Sequence, residues 1–259
     1  MTSYILCDIQ DSIGAITINR PEKLNALADS MRGDLLTTVE RANADPTVRV
    51  ITITGAGRAF CAGGDIGYLR DLKSRNDEAG FVRLLDEGKA VVKLLRESGK
   101  PTLAIVNGPA YGAGFFISIA CDLRLCGESA SFAAPFVKLG LGPDWGGTYM
   151  LPRMIGTSAS LEMLFTGEAV SSHDALRLGL ANRVWPDAEL RGRARAFALA
   201  LASMPPEVLA RHKQAIYHTM DGSFETTADL ERRFQLANFR SPASTEGITA
   251  FLEKRPPAF

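Results

Sequence analysis

Three glycine-rich stretches of this sequence have the composition of loops that bring backbone N–H groups close to a ligand. They are residues 55–66 (GAGRAFCAGGDI), 107–114 (NGPAYGAG) and 140–148 (GLGPDWGGT). Glycine lets a ligand approach the main chain, and a loop that enters a helix leaves the first N–H groups of that helix unpaired. Two such loop ends directed at one point suit an oxyanion. One stretch alone is more typical of a tight turn, but three between strands and helices favour a binding site.

Other kinds of site find less support in the sequence. No stretch contains the Gly-Lys-Ser/Thr of a phosphate-binding loop, and residues 112–114 lack the third glycine of a dinucleotide fingerprint. The four cysteines form no CxxC pair, which predicts reduced thiols and no metal site. A histidine-based triad or zinc site is a poor hypothesis because all three histidines lie in the polar C-terminal third: His173, His212 and His218.

The composition is that of an ordinary globular domain, with 46% apolar and 22% charged residues. The 29 basic residues balance the 29 acidic ones, so no net charge favours nucleic acid or an anionic membrane. The N-terminus has no signal-peptide pattern, and no apolar run approaches the ~20 residues that span a bilayer. We therefore expect a cytoplasmic protein with no nucleic-acid or membrane partner.

Strands and helices alternate in the first half of the chain. We predict a strand pair at residues 4–8 and 15–19 around Asp11-Ser12, buried strands at 49–54 and 102–106, and a further strand at 122–126. The predicted helices are at 29–43, 78–97 and 112–120, and the last is apolar on almost every side. This alternation predicts an α/β fold with parallel strands.

From residue 158 onward every segment has a helical pattern. The predicted helices are at residues 159–165, 171–178, 189–202, 207–220, 225–238 and 242–254. A helical region with so many apolar faces either covers the α/β core or joins a neighbouring subunit.

Five segments, in order along nearly the whole chain, carry a resemblance to a known family. They are residues 19–27 (NRPEKLNAL), 53–66, 100–122, 131–153 and 166–184. On these motifs the sequence is identified as a member of the crotonase (enoyl-CoA hydratase/isomerase) superfamily. The resemblance implies a ββα spiral core, placed at residues 1–195, and a helical trimerisation region at 196–259. It also implies a homotrimer or a dimer of trimers.

The resemblance further implies an acyl-CoA substrate held in a pantetheine tunnel, with no cofactor and no metal, because coenzyme A is part of the substrate. Two backbone N–H groups would hold the thioester oxygen, and the matching residues are Gly64 and Ala113. Only the N–H is required, so alanine at position 113 suits the role.

Other residues are implied to bind the coenzyme. The CoA moiety would run along Lys23, Ala26, Ala62, Asp65 and Ile66, and its 3′-phosphate end would meet Phe251 and Lys254. Without the resemblance, Asp65 is typical of a helix cap, Phe251 of a packing aromatic and Lys254 of a solvated charge.

The chain departs from the family hydratases at the two positions that decide the reaction. The hydratases use two glutamates to hold and polarise water, and the matching residues here are Phe116 and Phe136. An aromatic hydrocarbon cannot accept a proton or orient water, so the sequence predicts a dry site that does not support ordinary hydration.

One carboxylate, Asp144, remains in this region. Its loop resembles the one that supplies a single acidic base in some family isomerases, including those acting on 3-enoyl-CoA and on ring-epoxidised phenylacetyl-CoA. Trp145 and the two phenylalanines would desolvate the carboxylate and raise its proton affinity toward that of a general base. Its other interpretation is a turn-forming residue after Pro143.

Three hypotheses stay open at this point. The leading one is an enoyl-CoA isomerase with Asp144 as base, and Phe116, Phe136 and Trp145 around an apolar or aromatic acyl pocket. The second is an enoyl-CoA hydratase with an unusual acid. The third is a CoA-ester binder without turnover. Binding of RNA along the basic residues of the helix at 78–97 is disfavoured because acidic residues share that helix.

Overall fold

The computed structural model describes residues 4–259, which form two sheets and a surrounding set of helices. The strands are β1 (Ile5–Gln10), β2 (Ile13–Ile18), β3 (Val50–Gly55), β4 (Thr102–Val106), β5 (Pro109–Tyr111), β6 (Leu123–Gly127), β7 (Ser131–Ala133), β8 (Val170–Ser171) and β9 (Arg183–Trp185). The helices are α1 (Met31–Ala44), α2 (Ile66–Ser74), α3 (Glu78–Glu97), α4 (Ala113–Ala120), α5 (Gly147–Ile155), α6 (Thr157–Thr166), α7 (Ser172–Leu178), α8 (Asp187–Ala202), α9 (Pro206–His218), α10 (Phe224–Phe239) and α11 (Pro242–Glu253). The predicted α/β class is confirmed.

The larger sheet has six strands in the order β1-β2-β3-β4-β6-β9. Every neighbouring pair is parallel except β1 and β2, which form the predicted hairpin. Asp11 and Ser12 both have positive φ, of 52° and 62°, as a two-residue hairpin turn of type I′ requires. Almost every residue of β3 and β4 is buried, because helices cover both faces of the parallel part.

Side chains of the central strands alternate between two apolar clusters. On one face, Val50, Leu103 and Leu125 pack against the alanines of α8. On the other face, Ile51 and Ile53 join a larger cluster with α1, α3 and α4. All eight residues of α4 are buried, as its apolar sequence predicted.

The small sheet has the strand order β5-β7-β8 and leads directly into α4. β5 pairs in parallel with β7, and Gly112, which follows β5, donates its N–H to Ala133 O at 2.9 Å. This sheet therefore fixes the point at which the chain enters the buried helix.

Of the C-terminal helices, α8 covers the sheet, and α9 is attached through its Lys213 and Tyr217 side chains. Asp122 lies just before β6 and accepts hydrogen bonds from Lys213 at 2.9 Å and Tyr217 at 2.8 Å, both on α9. α10 packs on α9, and α11 packs on α10. The proposed boundary between residues 195 and 196 falls inside α8 and stays a prediction. No helix within residues 4–259 is long and apolar enough to cross a bilayer.

The prediction that every segment after residue 158 is helical is wrong at two places. β8 and β9 are strands of two and three residues, and β9 forms an edge of the larger sheet beside β6. Segments this short have no readable alternation of apolar and polar residues. They become strands because a neighbouring strand offers hydrogen bonds.

Candidate active site

Two of the glycine-rich stretches lie side by side. Cys61 pairs with Ala110 as an isolated parallel bridge, and Tyr111 donates its N–H to Cys61 O at 2.9 Å. Glycine is required where the backbones cross, because a Cβ atom on Gly114 would lie only 2.1 Å from Cys61 O. The loop after β3 and the first turn of α4 are therefore in contact through their main chains.

This contact brings the N–H groups of Gly64 and Ala113 into one region. Leu27 donates to Gly63 O and accepts from Asp65 N–H, which directs the Gly64 N–H away from Leu27. Ala113 is the first residue of α4, so its N–H has no acceptor in the helix. Within residues 4–259 neither group has a protein acceptor. A Cβ atom on Gly63 would lie 3.5 Å from the Ala113 nitrogen, and such a pair of donors suits an oxyanion.

Two side-chain amides, those of buried Asn25 and half-buried Asn107, hold the first loop in shape. Asn25 donates to Ala56 O at 2.9 Å and to Ala59 O at 2.8 Å. Asn107 donates to Gly55 O and to Gly57 O, both at 2.9 Å. Neither role was expected from the sequence; the available signals were the place of Asn25 in the motif at residues 19–27 and that of Asn107 beside Gly108.

The two segments expected to meet the CoA moiety run beside each other. Ala62 donates to Leu24 O at 2.9 Å, so residues 23–27, with Lys23 and Ala26, flank the start of the loop. Asp65 caps α2 by accepting from Tyr68 N–H, which confirms its predicted capping role. Arg20 bonds to Asp65 at 2.7 Å, and this bond is the main reason that the pKa of Asp65 is lowered. Ile66 and Lys23 are exposed beside this pair.

A cavity of about 700 Å³ opens next to the loop that carries Gly64. Its apolar lining comes from α2, α3 and the segment after β7: Ile66, Leu69, Leu72, Phe81, Leu139 and Leu141. It adjoins the donor pair because Leu69 Cδ1 lies 3.6 Å from a Cβ atom placed on Gly64. None of Phe116, Phe136 and Trp145 belongs to this lining, so their assignment to the acyl pocket stays a prediction.

Phe116 and Phe136 form a stack at the start of α4. Their ring centroids are 5.5 Å apart with planes inclined by 9°. Phe136 Cζ lies 3.7 Å from a Cβ atom placed on Gly112, beside Ala113, while Phe116 is fully buried and touches Gly147. The space beside the start of α4 is therefore filled with hydrocarbon, which neither accepts a proton nor binds water.

Asp144 lies in the loop that leads to α5. The next residue, Trp145, has a φ of 51° and packs so closely on α3 that a Cβ atom on Gly88 would lie 2.5 Å from its indole ring. The Asp144 Oδ1 atom is buried with no hydrogen-bond partner within residues 4–259. Burial raises the pKa of this carboxyl to about 6, and the charge of Arg32 opposes the rise. A carboxylate with this pKa can take up and release protons near neutral pH.

Arg32, on α1, is a site residue that the sequence analysis missed. Its side chain is buried, and one guanidinium nitrogen lies 3.2 Å from a Cβ atom placed on Gly64. Asp144 is the first of the charged groups that raise the Arg32 pKa against the effect of burial. The available signal was its spacing, since Arg32 lies three and seven residues before Leu35 and Val39 on the buried face of α1.

Phe251 and Lys254 lie at the exposed end of α11, which packs on α10. The Phe251 side chain is 83% exposed. Their contact with a CoA phosphate stays a prediction. Within residues 4–259 no group of three His, Cys, Asp or Glu side chains is arranged to hold a metal ion.

Comparison with known proteins places this geometry in context. Residues 8–259 match the family model described as enoyl-CoA hydratase/isomerase. The chain is 36% identical over 267 aligned positions to the 1,2-epoxyphenylacetyl-CoA isomerase of Escherichia coli, covering 100% of this chain and 99% of that protein. It is 32% identical to the crotonyl-CoA hydratase of Syntrophomonas wolfei, covering 98% and 97%.

Among solved structures, an enoyl-CoA hydratase from Bacillus anthracis superimposes with a TM-score of 0.94 at 29% identity, covering 99% of both chains. A second, the enoyl-CoA hydratase subunit I of Geobacillus kaustophilus, has a TM-score of 0.91 at 35% identity and covers 99% and 98%. The crotonase-like fold that the sequence motifs implied is confirmed by these likenesses.

Proposed function

The chain belongs to the enoyl-CoA hydratase/isomerase family, and from that premise we propose that it is an enoyl-CoA isomerase in which Asp144 is the base. The substrate is an acyl-CoA thioester with a double bond near the carbonyl group. The thioester oxygen is held by the N–H groups of Gly64 and Ala113. Coenzyme A is part of the substrate, and the reaction as written uses no other cofactor.

The reaction moves one proton and one double bond. Asp144 takes a proton from the carbon chain, and the electron pair that is left behind delocalises onto the thioester oxygen. The two N–H groups stabilise that developing negative charge more strongly than they stabilise the neutral carbonyl. Protonated Asp144 then returns the proton two carbons away, which regenerates the carboxylate.

The buried, unpaired carboxylate oxygen of Asp144 is the observation that carries this proposal. A pKa of about 6 leaves the group mostly ionised at neutral pH and still able to hold a proton briefly. The phenylalanine stack beside Gly112 supports an isomerase over a hydratase, because it occupies the region where a second acid and a water molecule would be needed.

The alternative is an enoyl-CoA hydratase with an unusual acid, and the name of the Syntrophomonas wolfei relative favours it. A CoA-ester binder without turnover is the third hypothesis. We further propose a homotrimer or a dimer of trimers in the cytoplasm. Exposed apolar residues on α9, α10 and α11 support an assembly, among them Ile216, Phe239 and Leu252.

The proposed reaction is tested by turnover in deuterium oxide. The protein is incubated with 2-enoyl-, 3-enoyl- and aryl-acetyl-CoA esters, and the products are identified by NMR. An isomerase shifts the double bond and exchanges protons of the acyl chain. Hydrated products would support the hydratase instead, and the absence of both exchange and turnover with tight binding would support the non-catalytic binder.

The phenylalanine stack gives a second test. Phe116→Glu together with Phe136→Glu restores the acid types at the hydratase positions, so we expect measurable hydration of crotonyl-CoA where the unmodified protein has little. The assay follows the loss of enoyl absorbance. Placing two carboxylates in this apolar region lowers the free energy of unfolding by several kcal/mol in order of magnitude. Circular dichroism must therefore first confirm folding.

The matched control is the double glutamine variant, which adds polar groups of the same size without an acid. It should not hydrate crotonyl-CoA. Efficient hydration by the unmodified protein would contradict the argument, because it would show that the two glutamates are not needed.

A further inference from the structure

The charge of Arg32 is buried in the candidate site. The residue is only 4% exposed, on a helix face that otherwise packs in the core. Removing a guanidinium from water is costly unless its donors and its charge find partners. The contacts of the Arg32 side chain therefore indicate whether its role is structural or functional.

Those contacts are few. A guanidinium has five N–H donors, and within residues 4–259 Arg32 makes one hydrogen bond, from Nη1 to Leu27 O at a long 3.3 Å. Its Nε is buried and has no hydrogen-bond partner among the described residues. No carboxylate oxygen of the described residues lies within 4.0 Å of a guanidinium nitrogen of Arg32, so the residue forms no ion pair with them.

The position of these free donors points to the substrate. The Nη2 atom of Arg32 lies 3.2 Å from a Cβ atom placed on Gly64, which carries one of the two candidate oxyanion donors. Asp144 is the strongest charged neighbour of Arg32 and has a buried unpaired oxygen of its own. Within the described residues these two opposite charges thus influence each other without forming an ion pair, which leaves donors of Arg32 available to a ligand that lies against Gly64.

We infer that Arg32 binds an oxygen atom on the acyl group, other than the thioester oxygen, and so selects oxygen-bearing acyl-CoA esters over plain hydrocarbon ones. This inference rests on the proposed function, because it assumes that an acyl-CoA lies against Gly64. The hydrogen bond that Arg32 offers is charge-assisted and planar, which suits a hydroxyl, keto or epoxide oxygen.

The surrounding charges favour a neutral oxygen over a carboxylate. Besides Asp144, Glu87 on α3 raises the pKa of Arg32, and so do the Cys61 thiol and the Tyr68 hydroxyl. With Asp144 ionised, one positive charge already faces two carboxylates. A substrate carboxylate would add a third negative charge in a partly desolvated site, which like-charge repulsion disfavours.

The test compares CoA esters with acyl chains of five carbons. Dissociation constants are measured by calorimetry for pentanoyl-CoA, both enantiomers of 3-hydroxypentanoyl-CoA, 4-oxopentanoyl-CoA and glutaryl-CoA. At least one neutral oxygenated ester should bind about tenfold more tightly than pentanoyl-CoA, the effect of one hydrogen bond to a charged donor. Glutaryl-CoA, which ends in a carboxylate, should show no such gain.

Arg32→Met should abolish the preference and leave the affinity for pentanoyl-CoA nearly unchanged. Arg32→Gln serves as a second variant if the first fails to fold, and Arg41→Met, which removes an exposed arginine from the same helix, should keep the preference. Equal affinities in the unmodified protein would overturn the inference while leaving the proposed function intact. A uniform loss across all esters in Arg32→Met would overturn it in favour of a role at the thioester oxygen. Failure to bind any ester would overturn both.

Discussion

Asp144→Asn is expected to slow double-bond migration by about 10²–10⁴, the usual effect of losing a positioned general acid–base group. Asparagine keeps the shape of the side chain but cannot hold the transferred proton. Acyl-CoA affinity should change little, because the carbon chain offers no charge for the carboxylate to bind. The measurement is kcat and ligand affinity on a 3-enoyl-CoA, with circular dichroism to confirm the fold.

The pH dependence provides a readout that a purely structural role would not move. Because the Asp144 pKa is raised to about 6 and the ionised form is the base, kcat/KM should rise as the pH increases through about 6. Asp86→Asn changes an exposed carboxylate on α3. This variant should keep both the normal rate and the rise of kcat/KM with pH. Near-normal turnover in Asp144→Asn would remove Asp144 from the mechanism.

The same pKa has the opposite effect on stability. A folded-state pKa raised above the unfolded value means that the folded protein binds this proton more tightly than the unfolded chain. The stability that Asp144 contributes is therefore present at pH values below its unfolded pKa and is lost as the pH rises through about 6. Asp144→Asn has no such loss, so a fall in activity at pH 8 cannot be explained by this ionisation unfolding the variant.

Ala113→Pro should lower kcat by at least the roughly 10²–10³ that follows the loss of one oxyanion donor. Proline has no N–H, and its ring would occupy the space into which that N–H points. The fold should tolerate it, since residue 113 is the first of α4, a position where proline is favoured in helices. The rate and the fluorescence-monitored unfolding midpoint are measured together.

A matched control exists in the same chain. Thr157 is the exposed first residue of α6 and, like Ala113, follows a glycine with positive φ. Thr157→Pro should leave both turnover and the unfolding midpoint close to normal. If Ala113→Pro folded and turned over normally, the N–H of residue 113 would have no part in stabilising the enolate.

The long elements could be predicted from the sequence because their patterns are long. α3 and β4 have the predicted bounds of 78–97 and 102–106, since twenty residues of helical periodicity and a β-branched run closed by turn residues are unambiguous. Strands of two or three residues, such as β8 and β9, have no such pattern and form only where another strand pairs with them.

The candidate site was predicted unevenly for a related reason. Gly64 and Ala113 lie in long motifs whose glycines are needed for backbone contact, so their closeness could be anticipated from the sequence. Arg32 is one charge on a helix with other charges, and its spacing to Leu35 and Val39 is a weak signal that the packing of α1 makes clear. The cavity lined by Leu69 and Phe81 depends on how α2 and α3 pack, which local sequence does not specify.

The hydrogen bonds of Asn25 and Asn107 also bear on how the protein is made. They join residues 31 and 52 positions apart, and the donor pair further requires Ala113, so no early part of a growing chain contains the site. Closing these long loops costs conformational entropy. That cost is offset only when the contacts among β3, β4 and α4 have formed. A ligand that binds there would stabilise only those chains in which these segments have come together. Ligand binding at this site would therefore report that the segments from Asn25 to Ala113 have folded together.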